Sequence, residues 1–206
     1  MTKGSVLLAF LCFPFFAHAT EPPAADKCAY DKAAMLALDE NAFDQDVSNG
    51  GGGWRAIGNI PGCEIAAADL IAAYKRKHGL DTPILNWHEG QMRASAGQTE
   101  RAIGLLSAAR KDGEPGQEAW NEYVDATVAF LRRDRQGLLR ARDRLAQAPI
   151  PEGMPPVKDG YMELEVGNGQ TMKMRWPMNI DVVDGLIACF DKPYDEAYGG
   201  ECRPKP

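Results

Sequence analysis

Residues 83–109 read PILNWHEGQMRASAGQTERAIGLLSAA, and their spacing decides the fold class. Pro83 suits the first turn of a helix, where its missing N–H costs nothing. Leu85, His88 and Met92 then share one helical face. Gly97-Gln98 breaks the pattern and residues 99–111 resume it, so helices over 84–96 and 99–111 form an antiparallel hairpin. Past the loop Asp112–Gly116, residues 118–148 read EAWNEYVDATVAFLRRDRQGLLRARDRLAQA. They repeat the theme, with helices over 118–133 and 136–147 joined near Asp134.

The two hairpins align at an offset of thirty-nine residues, which sets Gly90 on Ala129, Ala102 on Ala141, Leu106 on Leu145 and Ala109 on Ala148. Small residues recur where paired helices must approach closely, and large apolar ones recur where the second helix turns toward a core. This order of residues resembles the tetratricopeptide repeat, and Gly97 fits that family's turn position. The resemblance covers about residues 84–148. The family's first-helix aromatic is displaced to Trp87 and Trp120, and Glu89 occupies a place that is usually apolar. The resemblance implies a helical array whose concave face holds a protein or peptide, with no chemistry of its own. It also implies that the first helices line the groove. The partner-binding candidates are therefore Trp87, Gln91, Tyr123, Phe130 and Arg133, with core packing as the competing role for the aromatics.

Toward the N-terminus, Ala67, Leu70, Ile71 and Tyr74 lie on one side of a helix over 64–78. Its last turn holds Lys75, Arg76, Lys77 and His78, where positive charge suits the helix dipole, and Gly79 is a C-cap. Tyr30, Ala34, Leu38 and Ala42 predict another helix, from Cys28 to about Val47. It ends at Ser48-Asn49 and the glycines 50–53, which cannot hold a helix. This pair reads as a third, degenerate hairpin.

Toward the C-terminus a Pro-rich linker spans Pro149–Pro156, and the period then changes. Met162, Leu164 and Val166 alternate with glutamates, and Met172, Met174 and Trp176 alternate with Lys173 and Arg175. With Asn168-Gly169 between them, they form a β-hairpin whose apolar face should pack on the helices. A last helix runs from about Ile180 to Phe190. The fold class is mainly α: antiparallel helical hairpins of tetratricopeptide-like type, a small C-terminal β-hairpin and a terminal helix. Residues 20–148 form the helical-hairpin domain, and residues 149–206 pack on it.

The first nineteen residues stand apart. Lys3, the apolar run Val6–Phe16 and Ala17-His18-Ala19 make a signal peptide cleaved near Ala19. The run falls short of the roughly 20 residues that span a bilayer. The product is periplasmic or secreted, and no membrane span remains after cleavage. Cys28, Cys63, Cys189 and Cys202 then form disulfides, and the pairing Cys28–Cys63 with Cys189–Cys202 is favoured because each pair sits at one end of the chain. The chain has 206 residues and a formal net charge of −6. Phosphate backbones repel such a chain, so it is not a nucleic-acid binder.

The chemical motifs fail one by one. His88-Glu89 begins an H-E-x-x-H pattern, but Met92 stands at its fifth position, so no metal site is expected there. His88 reads as a hydrogen-bonded core histidine. Asp44–Gly50 resembles a calcium loop, but Arg55 stands where the bidentate glutamate belongs. The glycines 50–53 lack the G-K-[ST] ending of a phosphate loop. The arginines from Arg132 to Arg144 form a solvated face with internal ion pairs. No cofactor is expected. The expected function is a protein-interaction module: a scaffold, adaptor or inhibitor of the immunity type, and not an enzyme. Two alternatives remain. One is an envelope hydrolase with His88, Glu89 and Asp125 in one cleft. The other is a carrier of a small apolar ligand held near Met162, Met172 and Met174.

Overall fold

The computed structural model describes residues 26–48, 51–114, 116–165 and 171–205. The expected signal peptide, most of the Pro-rich lead-in, Asn49-Gly50 and the Asn168-Gly169 turn lie outside these residues. Eight of the described elements carry the architecture: α3 Glu64–His78, α4 Pro83–Ser95, α5 Thr99–Ser107, α6 Glu118–Leu131, α7 Arg135–Ala146, β1 Tyr161–Glu165, β2 Thr171–Arg175 and α8 Ile180–Ala188. Before them come the short α1 (Lys32–Leu36), a π-helical turn (Asn41–Gln45) and α2 (Arg55–Gly58). After them come α9 (Tyr194–Tyr198) and a 3₁₀ turn (Gly200–Cys202). The protein is mainly helical with one two-stranded antiparallel hairpin.

The helix expected over 28–47 is broken in two. Its mid-chain carbonyls serve α3 instead of an α-helical ladder. Leu36 O accepts from Lys77 Nζ at 2.8 Å and from His78 Nε2 at 3.0 Å, and Leu38 O accepts from the Tyr74 hydroxyl at 3.0 Å. Asp39 then accepts from the Ala42 N–H at 2.8 Å and starts a new turn. Short polar side chains open new turns in this way by offering the backbone a local partner. Cys28 is bonded to Cys63 with its Cα 5.4 Å away, which ties this irregular segment to the start of α3. In the chain-entropy model, a loop of this length gives about 3–4 kcal/mol.

The hairpins α4–α5 and α6–α7 close with the same turn. Gln98 N donates to Arg93 O at 2.8 Å and Gly97 N to Ala94 O at 3.0 Å. Asp134 N donates to Ala129 O at 2.9 Å and Arg133 N to Phe130 O at 3.0 Å. Both are Schellman closures around a left-handed residue, Gly97 at φ +75° and Arg133 at φ +57°. The turns therefore correspond at an offset of thirty-six residues, three short of the recurrence of small side chains. An arginine is strained in that conformation by about 1–2 kcal/mol. Its guanidinium donates to the carbonyls of Phe190 and, at 3.2 Å, Lys192, which offsets the strain.

Two buried clusters make the core. Phe43, Trp54, Ile57, Leu70, Ile71, Tyr74 and Leu85 form the first, with Phe43 stacked on Tyr74 at 3.7 Å between ring centroids. The second runs from Trp87 through Leu106, Val124, Phe130, Leu138 and Leu145 to Val183, Leu186 and Tyr194, so α8 and α9 share a core with both hairpins. Cys189 and Cys202 are disulfide-bonded there, Cα to Cα 5.9 Å. Strand pairing sets Met162 opposite Met174, Leu164 opposite Met172, and Glu163 opposite Lys173. The expected packing of the apolar face is partial, because Met162 is buried while Met172 is 47% exposed.

Gly90 sits where α4 and α5 come together, and a Cβ there would stand 2.7 Å from Leu106 Cγ. Gly90→Ala gains about 1 kcal/mol of helix propensity and loses about 1–3 kcal/mol to overpacking, so a net loss is expected. Gly104→Ala in α5 meets nothing within 4 Å and should keep the whole propensity gain of about 1 kcal/mol. Urea denaturation of both variants separates the two cases. Stabilisation by both would contradict a tight α4–α5 contact.

Candidate functional site

Residues 85–90 of α4 are all buried, and three of them are polar: Asn86, His88 and Glu89. A helix in that position must satisfy its polar groups within the protein. Glu89 turns toward α3 and α5. It accepts from Lys75 Nζ at 3.2 Å, from Arg93 Nη2 at 3.2 Å and from Arg101 Nη2 at 3.1 Å. Arg93, 1% exposed, also donates to Asp69 at 2.7 Å and to Gln98 at 3.0 Å. Asn86 accepts from Lys75 and donates to Asp81 at 2.9 Å.

Above this network lies an open groove of about 640 Å³. Lys75, Arg76 and Gly79 form one wall, continued by the exposed Asp81, and Arg101, Gly104 and Leu105 form the other, with Asn86 and Glu89 in the floor. Gly79, left-handed at φ +65°, stops α3 so that the chain can turn back through Asp81. Arg76 is exposed and has no ion pair among the described residues. Glu89 cancels the charge beneath it, and the guanidinium of Arg76 faces solvent on a chain that is acidic as a whole. The sequence flagged Glu89 as an acid in an apolar place and Lys75–His78 as dipole partners. It did not reveal that the two meet.

On the opposite side, His88 serves α2 and the π-turn. Its Nδ1–H donates to Asp44 Oδ1 at 2.7 Å, and its Nε2 faces Arg55 Nη2 at 3.4 Å. The Trp54 indole donates to the same Asp44 oxygen at 2.8 Å. Burial resists ionisation of Asp44. The hydrogen bond and charge of His88, the Trp54 N–H and Arg55 outweigh it and hold the carboxyl below its ordinary value. His88 is thus the hydrogen-bonded core histidine that the sequence predicts.

The three residues expected to form a hydrolytic cleft are committed to three separate sets of partners. His88 binds Asp44, Glu89 binds its three cations, and Asp125 pairs with Arg110 and Arg144. No side-chain hydrogen bond joins any two of them. Of the residues offered as anchors for a partner, Trp87, Tyr123 and Phe130 are core, at 3%, 2% and 1% exposure. The Trp87 ring lies 5.1 Å from Trp120 and 4.7 Å from Tyr123. Gln91 is half-buried beside the Tyr194 phenol, and Arg133 is spent on the carbonyls of residues 190 and 192. None of the five lines the groove. The arginine run is paired largely across elements, Arg142 to Asp184 at 2.9 Å and Arg144 to Glu122 at 2.8 Å. Among the described residues, no group of three His, Cys, Asp or Glu side chains is placed to hold a metal. The segment that resembled a calcium loop spends Asp44 on His88 and Asp46 on Ser48, at 2.6 Å.

No family model, no curated protein and no solved structure matches this chain.

Glu89→Leu leaves the buried Arg93 with the exposed Asp69 as its remaining carboxylate, a loss at the low end of the roughly 3–5 kcal/mol for a broken buried pair. Adding Arg93→Met should restore most of that loss in urea denaturation, and an additive double variant would deny the pairing. For Asp44, the unfolded carboxyl titrates near pH 4 and the folded one lower, so its contribution is whole above about pH 5 and drains away as the pH falls. The stability gap between the wild-type chain and Asp44→Asn should therefore narrow from pH 6 to pH 3. A gap independent of pH would place the Asp44 shift elsewhere.

Proposed function

We propose that this chain is an exported binding module, not a catalyst, that holds an acidic segment of another protein in the α3–α5 groove. Export is supported by the two disulfides, which persist in oxidising compartments. The charged start, apolar run and A-x-A site before Thr20 support the same reading, export to the periplasm or outside the cell. Among the described residues no helix is long and apolar enough to cross a membrane. We propose further that the hairpins are divergent relatives of the tetratricopeptide-like arrays. Support comes from two successive hairpins closed by one turn type and from the tight α4–α5 approach at Gly90.

The observation that carries the binding reading is the groove itself. Arg76 and the half-exposed Arg101 converge on an open surface whose buried acid, Glu89, is already paired with Lys75 and Arg93, so the basic groups outweigh the lining's exposed acid, Asp81. Basic side chains presented this way steer and orient an acidic partner more than they add raw affinity. The role is that of a scaffold, adaptor or inhibitor, and it needs no cofactor.

Immobilised, disulfide-bonded protein exposed to envelope extract should retain a partner that elutes with moderate salt. Cross-links should map to an acidic stretch of that partner. The Arg76→Glu/Arg101→Ala variant, checked for folding by thermal melt, should lose at least nine-tenths of it. Equal retention by the variant would remove the groove from the interaction.

A further inference from the structure

We infer that the chain has a second binding site, an apolar pocket for one small uncharged ligand, at the junction of α6 with the C-terminal segment. A cavity of about 340 Å³ opens there, at the lower end of the range for small-molecule sites. Ala119 and Trp120 of α6, Pro151 and Met154 of the linker, and Trp176 and Met178 ahead of α8 form its walls. It shares no residue with the α3–α5 groove.

The lining selects the ligand's chemistry. Among the described residues no Asp, Glu, Lys, Arg or His enters it, so an ionic ligand would give up water without meeting a counter-charge. Lys111 holds its ammonium 5.3 Å from the Trp120 ring centroid without entering the lining. The walls are two indoles, two thioethers and a proline, which suit an aromatic or branched aliphatic body. Methionine adapts to irregular shapes and makes favourable contacts with rings. Polar capacity is small: the Trp176 indole N–H and the Gln117 and Asn179 amides make no side-chain hydrogen bond among the described residues. The ligand is therefore mainly apolar, with one or two hydrogen-bonding groups.

One wall is set in advance. The Trp120 N–H donates to Ala109 O at 2.7 Å, and its ring packs edge-on against Trp87 at 5.1 Å and Tyr123 at 6.2 Å. A fixed aromatic wall lowers the ordering cost of binding. The methionines that the sequence offered for such a site, Met162, Met172 and Met174, belong to the strands and do not line it.

Titration of the full disulfide-bonded chain with uncharged N-phenyl-1-naphthylamine tests the site. One equivalent should bind saturably, with energy transfer from tryptophan. Ala119→Phe, which fills the cavity, and Trp176→Ala, which removes a wall, should each weaken binding at least tenfold while keeping the wild-type circular dichroism. Met172→Ala, on the exposed strand, should bind within twofold of wild type. The anionic dye 8-anilinonaphthalene-1-sulfonate should bind at least tenfold more weakly than the uncharged probe. Absence of saturable binding, several equivalents per chain, or equal affinity in wild type and both pocket variants would each overturn the assignment. Because the groove residues are untouched, none of these results bears on the acidic-partner proposal.

Discussion

The desolvation of α4 is the constraint on which the rest depends. Residues 85–90 are all buried, with Asn86 and Glu89 just beneath the groove. A polar group stripped of water must be paired, or it costs more than its hydrogen bond would return. The three polar side chains of this segment therefore dictate what surrounds the helix. Glu89 draws Lys75 from α3, Arg93 from its own helix and Arg101 from α5, and His88 draws Asp44 from the N-terminal segment. Gly90, lacking a side chain, lets Leu106 close the remaining side. A helix with an ordinary amphipathic face would need none of these partners and would specify none of these neighbours.

This explains which parts of the fold could be read in advance. The helices from 64 to 147, the β-hairpin and both cysteine pairings follow from local signals: apolar period, turn residues, and the placement of each pair at one end of the chain. The helix expected over 28–47 failed because its carbonyls answer side chains about forty residues away, such as Lys77 and His78 reaching Leu36. Periodicity within a window carries no trace of such a claim. The candidate site was legible only as an anomaly. Glu89 stood out as an acid in a usually apolar slot, but its partners Arg93, Lys75 and Arg101 are known only from the packed structure. The aromatic anchors went the other way. Trp87, Tyr123 and Phe130 carry the same apolar signal whether they face a partner or a core, and here they face a core shared with α8 and α9.

Charge is arranged in two tiers around α4. The inner tier is balanced: Glu89 meets Arg93 and Lys75, the exposed Asp69 reaches Arg93 from the rim, and Asp44 meets His88, whose far nitrogen faces Arg55. Such buried pairs contribute little net stability, but losing one member is expensive, so they hold the geometry in register. The outer tier is left open, with Arg76 facing solvent above the groove. On a chain with formal net charge −6, that local excess stands out.

The two disulfides clasp the opposite ends of the chain, one spanning 35 residues and the other 13. No covalent tie crosses the stretch between Cys63 and Cys189. A pulling force applied at the termini, as an unfolding motor or a stretched tether applies it, passes straight through both clasps and falls on that middle stretch. Slack hidden inside each loop is withheld from extension while the bonds are oxidised. The contour released by mechanical unraveling is thus metered by redox state, even though every helix between the clasps holds without a covalent tie.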